Sequence, residues 1–104
     1  MKADDAIAAL SALAHDNRLA IYRMLVEAGP SGLSAGVVAA RLAVPPSSLT
    51  FHLHRLRGAK LVTRLRVSRQ QMYAADFTMM NGLVGFLTEN CCGGSGICTR
   101  RECG

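Results

Sequence analysis

Three features of this 104-residue chain predict a mainly α fold with one small β-hairpin. Apolar residues recur at helical spacing in five separate stretches, and two of these are short and joined by a tight link. One region, Leu61 to Ala75, instead carries two extended runs around a polar tip. Between Ala28 and Ala75 there is no Asp or Glu, while Arg41, Arg55, Arg57, Lys60, Arg64, Arg66 and Arg69 all lie there. The formal net charge of +5 is thus concentrated mid-chain, on a surface suited to a polyanion because counterion release favours such contacts.

The length suits one domain with a modest core, small enough that a partner subunit would help stabilise it. The opening MKADDAIAALSALAHDN has two early aspartates and no long apolar run, so neither a signal peptide nor a membrane span is expected. The expected compartment is the cytoplasm.

A first helix is expected from Asp4 to about Ala14, with Ile7, Leu10 and Leu13 at helical spacing and acids in the turn the helix dipole favours. Too little chain is present to cover its apolar face, so the last helix or a second subunit is its expected partner. Asp16 is the expected cap of a second helix running to about Ala28, with Leu19, Tyr22, Met24, Leu25 and Val26 on its buried side. Gly29-Pro30 ends it, and His15 reads as a loop or cap residue rather than a metal ligand. Leu33 is placed to add a short extended contact, and Ser34 to cap a third helix, Ala35 to about Leu42, with Val37, Val38 and Leu42 inward.

Ala43-Val44-Pro45 then leads into PPSSLTFHLHRLRG, Pro45 to Gly58, with Pro46 suited to the first helical position because its missing N–H leaves no bond unmade. At about 100° per residue, Leu49, Leu53 and Leu56 form one narrow stripe. Ser47, Thr50, Phe51 and His54 point away from it, flanked by Ser48, Arg55 and Arg57. These hydroxyls, the aromatic ring, the imidazole and the guanidinium forks suit base edges, a thymine methyl and phosphates. Two short helices so joined, the second polar on its outer side, form the helix-turn-helix pattern. His52 and His54 lie two residues apart and about 200° around the helix, which excludes them as a chelating pair.

Leu61 to Arg66 and Gln71 to Ala75 are the expected strands, with Val62, Leu65, Val67, Met72 and Tyr73 as their β-favouring or apolar residues. The tip Ser68-Arg69-Gln70 lacks the glycine of the favoured tight turns, so a longer, looser loop is expected. Projecting Arg64, Arg66 and Arg69 would let the hairpin lie along DNA as a wing, which makes the whole a winged helix-turn-helix. Asp76 is the expected cap of a last helix, Phe77 to about Asn90, with Met80, Leu83, Val84 and Leu87 on one apolar face. Gly82 and Gly85 each lower its helicity by about 1 kcal/mol relative to Ala and would admit another helix closely.

The run SALAHDNRLAIYRMLVEAGP, with Arg18-Leu19 introducing the second helix, resembles the ArsR/SmtB family of winged-helix repressors, and the likeness covers about Leu10 to Cys98. Family members often have Gly in the turn and a hydroxyl or amide cap before the recognition helix; Ala43 and Pro45 depart from both. The resemblance implies a homodimer whose first and last helices build the interface, and a palindromic double-stranded operator as partner. Residues 1–90 would form the dimerisation and DNA-binding domain, and 91–104 a flexible Cys-rich sensing tail.

All four cysteines lie in that tail, the wrong distribution for a disulfide framework. Cys91 and Cys92 are adjacent, and Gly93, Gly94 and Gly96 allow the chain to double back and bring Cys98 to a shared centre. Soft sulfurs without a carboxylate cluster favour a thiophilic ion. Trivalent arsenic or antimony on three thiolates is pyramidal, its lone pair filling the fourth direction, so three sulfurs complete a site. A group within the ArsR/SmtB family carries a vicinal pair and a third cysteine in the tail, and Cys91, Cys92 and Cys98 match that C-C-x5-C spacing. The resemblance therefore implies an arsenite-responsive repressor, of the kind that serves arsenical resistance. Inorganic and methylated arsenicals both remain open as the inducer.

Cys103 lies outside the motif and leaves open a four-sulfur zinc or cadmium site, or a thiol-redox switch of the same fold. An enzyme is not expected, since the chain has no glycine-rich nucleotide loop and no clustered acid and base. A passive metal carrier would explain the tail but not the acid-free centre.

Overall fold

The structure is a computed structural model, and its described residues are 1–90. Small side chains, not the larger apolar ones, carry α1 (Ala3–Leu13) into the core. Ala6, Ala9 and Ala12 are buried, while Ile7 and Leu10 remain 63% and 43% exposed. An alanine face lets α1 pack against both α2 (Asp16–Ala28) and α4 (Pro46–Gly58). The cap of α2 is His15 rather than the expected Asp16: its backbone is extended and its Nδ1 accepts the Asn17 N–H at 3.2 Å. Asp16 thereby becomes the first helical residue, where its charge still complements the helix dipole. Arg18 Nε donates to the Ala12 carbonyl at 2.8 Å and ties the end of α1 to the start of α2.

Ile21, Tyr22 and Leu25 form the buried stripe of α2. Leu19 and Val26, expected inward, are exposed instead, and Met24 is half-buried. Seven residues separate Leu19 from Val26, so both lie on one side of the helix, turned from the stripe that Ile21 defines. The Tyr22 hydroxyl is buried without a hydrogen-bond partner among the described residues, and burial followed by the charge of Asp76 raises its pKa.

After Gly29 closes α2, the chain crosses β3 (Gln70–Ala75) at Gly32, whose φ is 71°. Any Cβ there would run into the Tyr73 carbonyl, so this close approach requires glycine. The approach seats β1 (Leu33–Ser34) antiparallel to β3, Leu33 opposite Tyr73. Ser34 then caps α3 (Ala35–Leu42), its Oγ accepting the Val37 N–H at 3.3 Å. Val38 is fully buried and Leu42 half-buried, but Val37 is 39% exposed, because an eight-residue helix touching the core on one side buries a single central residue.

β2 (Val62–Val67) completes a three-stranded sheet in the order β1-β3-β2, with pairs running from Val62↔Ala75 to Val67↔Gln70. That register leaves only Ser68 and Arg69 in the loop, so the tip is a tight two-residue turn and not the looser loop expected. Both residues adopt positive φ, 47° and 71°, as the mirror-image hairpin turn requires. The strand ladder holds them there without glycine. Asp76 caps α5 (Phe77–Leu87) as expected, Oδ1 accepting the Met79 N–H at 3.0 Å. The helix stops three residues short of Asn90, which itself has φ 58°. No helix among the described residues is long and apolar enough to cross a membrane.

Candidate nucleic-acid interface

The core positions α4 through three leucines. Leu49, Leu53 and Leu56 are 1%, 1% and 0% exposed, each worth about 1.5–3 kcal/mol of apolar burial. With this stripe held down, Ser47, Thr50, Phe51, His54 and Arg55 emerge on the outer face, and Ser48 and Arg57 are half-buried at its edges. Phe51 is 57% exposed, an uncommon position for a bare aromatic ring and a fitting one for a base-step or methyl contact. Thr50 has spent its proton locally, since Oγ1 donates to the Pro46 carbonyl at 3.0 Å; its lone pairs and methyl remain available outward.

The turn into α4 is short and strained. Ala43 lies in the left-handed region at φ 53°, ψ 42°, where glycine is the ordinary residue. Its N–H and that of Val44 reach back to the last carbonyls of α3, closing the turn. Pro45 precedes the helix without any side-chain cap, and Pro46 occupies the first turn.

On the wing, Arg64, Arg66 and Arg69 are all exposed. Arg64 and Arg66 stand opposite Tyr73 and Gln71 on one ribbon face, and Leu65 and Val67, 44% and 54% exposed, occupy the other. The ribbon is therefore solvated on both sides beyond its base. Arg57 and Arg64 border a common cleft, and His54 and Arg55 border a groove against Ala8, Ser11 and Ala12 of α1.

The sequence pattern did not reveal the inward role of His52. It is 7% exposed, its ring 4.7 Å from that of His15, and its Nδ1 has no hydrogen-bond partner among the described residues. Burial, then the neighbouring His15 and Arg18, push its pKa down from the ordinary 6.5. A neutral imidazole thus joins α4 to the cap of α2, while His54, two residues on, faces outward.

The family model described as "Helix-turn-helix domain" matches residues 13–64, which take in α2, the eight-residue α3, the tight turn and α4 with its polar outer face, and end within β2. The chain belongs to the helix-turn-helix domain family. An ArsR-like transcriptional regulator from Rhodococcus sp. RHA1 is 27% identical over 81% of this chain and 76% of its own, with a TM-score of 0.72. NolR from Sinorhizobium fredii is 30% identical over 86% of each chain, with a TM-score of 0.64. The homodimeric winged helix-turn-helix DNA-binding domain of a possible ArsR-family regulator from Mycobacterium bovis shares the fold at 18% identity, over 91% and 88%, with a TM-score of 0.67. No curated protein matches.

Helix-turn-helix regulators bind DNA and are not enzymes, so family membership decides between the regulator and enzyme readings. Among the described residues, no group of three or more His, Cys, Asp or Glu is placed to hold a metal ion. Cys91, Cys92, Cys98 and Cys103 lie outside the described residues.

Proposed function

We propose that the chain is a cytoplasmic, homodimeric transcriptional repressor that binds a palindromic operator and releases it when trivalent arsenic occupies Cys91, Cys92 and Cys98. The observation that carries the DNA-binding part is a polar, basic α4 surface backed by a fully buried leucine stripe, within a helix-turn-helix family member. Dimerisation rests on apolar residues left exposed on α1 and α5: Ile7, Leu10, Phe77, Val84 and Leu87. The Mycobacterium bovis domain of the same fold is homodimeric. Two copies of α4 related by a two-fold axis would enter successive major grooves about 34 Å apart.

Support for the inducer is the C-C-x5-C spacing, which suits a pyramidal three-thiolate centre. Arsenous acid exchanges three hydroxyls for three thiols with release of three waters and no net proton, so uptake is less pH-sensitive than divalent-metal binding, where thiol protons leave. A singly methylated arsenical has two exchangeable positions, which Cys91 and Cys92 fill. Closing the thiolate ring beyond α5 shifts the end of that helix and with it the dimer geometry; a coupling of about 1 to 3 kcal/mol is enough to change operator occupancy. The fourth sulfur, Cys103, favours a second reading, a zinc- or cadmium-responsive or thiol-redox repressor of the same fold.

Fluorescence anisotropy on an operator duplex tests the proposal with the Cys91→Ser, Cys92→Ser, Cys98→Ser triple variant. Arsenite should release the native protein and leave the variant bound. Release of both at equal arsenite concentration would overturn the site.

A further inference from the structure

Where the end of α4 meets the base of the wing there is a cleft of about 350 Å³ lined by Arg57, Lys60, Val62, Thr63, Arg64 and Asp76. Four parts of the chain build it: the last turn of α4 brings Arg57, the connecting turn Lys60, β2 brings Val62, Thr63 and Arg64, and, past β3, the cap of α5 brings Asp76. One carboxylate oxygen of Asp76 is committed to the Met79 N–H. Three cations against one carboxylate leave two positive charges, which suits a phosphate group and no cation. Arginine forks match phosphate oxygens in pairs, and a lysine adds a point charge.

Lys60 is placed by the backbone rather than by chance of a long side chain. It has φ 65°, in the left-handed position just past a helix where glycine is the usual occupant. Its N–H donates to the Arg57 carbonyl at 2.9 Å, and the Leu61 N–H donates to the Leu56 carbonyl at 3.0 Å. These bonds close the turn, and the adjoining Leu61 is fully buried, which fixes where Lys60 leaves the surface. The Thr63 hydroxyl makes only a long bond, 3.4 Å, to the Ala74 carbonyl, so it can turn toward a ligand oxygen.

We propose that this cleft is a phosphate-group site, with Arg57, Lys60 and Arg64 as its donors and Thr63 at its wall. In the DNA complex it takes a backbone phosphodiester, so that one contact anchors the base of the wing to the duplex that α4 reads. The assignment to DNA rests on the proposed DNA-binding function; the phosphate chemistry of the cleft does not. Such a contact carries no sequence information and acts equally on any duplex.

Two measurements on the full chain separate the sources. In the first, Lys60→Gln should weaken operator and scrambled duplex by the same factor, about fivefold to tenfold, and reduce the steepness of the salt dependence by about one unit. Lys2→Gln, outside the lining of the cleft, should change neither, and equal thermal melting of both variants controls for folding. In the second, inorganic phosphate titrated against sodium chloride at matched ionic strength should shift the amide resonances of Lys60, Thr63 and Arg64. A changed salt slope assigns the site to DNA. Shifted resonances with an unchanged slope keep the phosphate site but assign it to a free phosphate. An unchanged slope with unshifted resonances overturns the inference, whether or not the native protein binds its operator.

Discussion

Helices α4 and α5 are of similar length and both carry apolar residues at helical spacing, yet the subunit treats them oppositely. α4 hides every leucine and leaves in water a face that is polar and basic apart from Phe51. α5 hides only Leu83 and leaves Phe77, Val84 and Leu87 at 36%, 51% and 56% exposure. A polar free face is at no disadvantage in water and can wait for a charged partner. An apolar free face, joined by Ile7 and Leu10 of α1, keeps an unfavourable hydration cost until another apolar surface covers it. Among the described residues the free face of α4 is thus mainly polar and basic, and that of α5 apolar.

The most severe test of this contrast compares two leucine truncations in dilute monomer. Leu56→Ala should cost about 2–5 kcal/mol in urea unfolding, since the site is fully enclosed. Leu87→Ala should stay within about 0.5 kcal/mol there. Equal losses would show that both helices are core elements and erase the distinction.

Next in size is the α5 surface itself. Val84→Asp should weaken self-association at least a hundredfold, about 2.7 kcal/mol, in sedimentation equilibrium, with an unchanged helical CD spectrum at low concentration. Unaltered sedimentation would place the dimer contact elsewhere.

The seat of α4 can be probed by pH. Because burial, His15 and Arg18 depress the His52 pKa, the unfolded chain binds this proton more readily than the folded one. Stability from this source is intact above about pH 6.5 and declines as pH falls through the lowered folded-state value. Unfolding midpoints at pH 7.5 and 5 should differ more for the native chain than for His52→Leu, and a matching pH response would exonerate His52.

The smallest change sharpens the turn before α4. Ala43→Gly should raise stability by about 0.5–1 kcal/mol, the relief of a left-handed Cβ outweighing the added freedom of the unfolded chain. A loss on this substitution would mean that the alanine is not strained.

Much of the architecture was legible because local chemistry and periodicity agree. Ser34 and Asp76 announce helix starts, Gly29 and Pro46 mark an end and a beginning, and the leucine stripe of α4 allows one orientation. Errors fell where side-chain size competes with geometry. Leu19 and Val26 looked like core, but Ile21 reset the face of α2; in α1, close helix approach selected Ala6, Ala9 and Ala12 for the core, residues the periodicity of Ile7 and Leu10 does not point to. The wing tip misled for another reason: Ser68 and Arg69 have no propensity for positive φ, and only pairing along the whole ladder imposes it. At the interface, the outward groups of α4 followed from helical phase, whereas Lys60 and Thr63 joined Arg57 through the path of the connecting turn, which spacing does not encode.

By itself, the order of residues determined the helix-turn-helix, the basic middle and the grouping of every thiol in one tail, since these depend on charge, capping chemistry and period along the chain. Tertiary structure alone decided which apolar faces stay open, that His52 is enclosed while His54 is free, and that three cations share one cleft with Asp76. Those outcomes depend on distances between segments far apart in sequence, and packing sets such distances only when the elements meet.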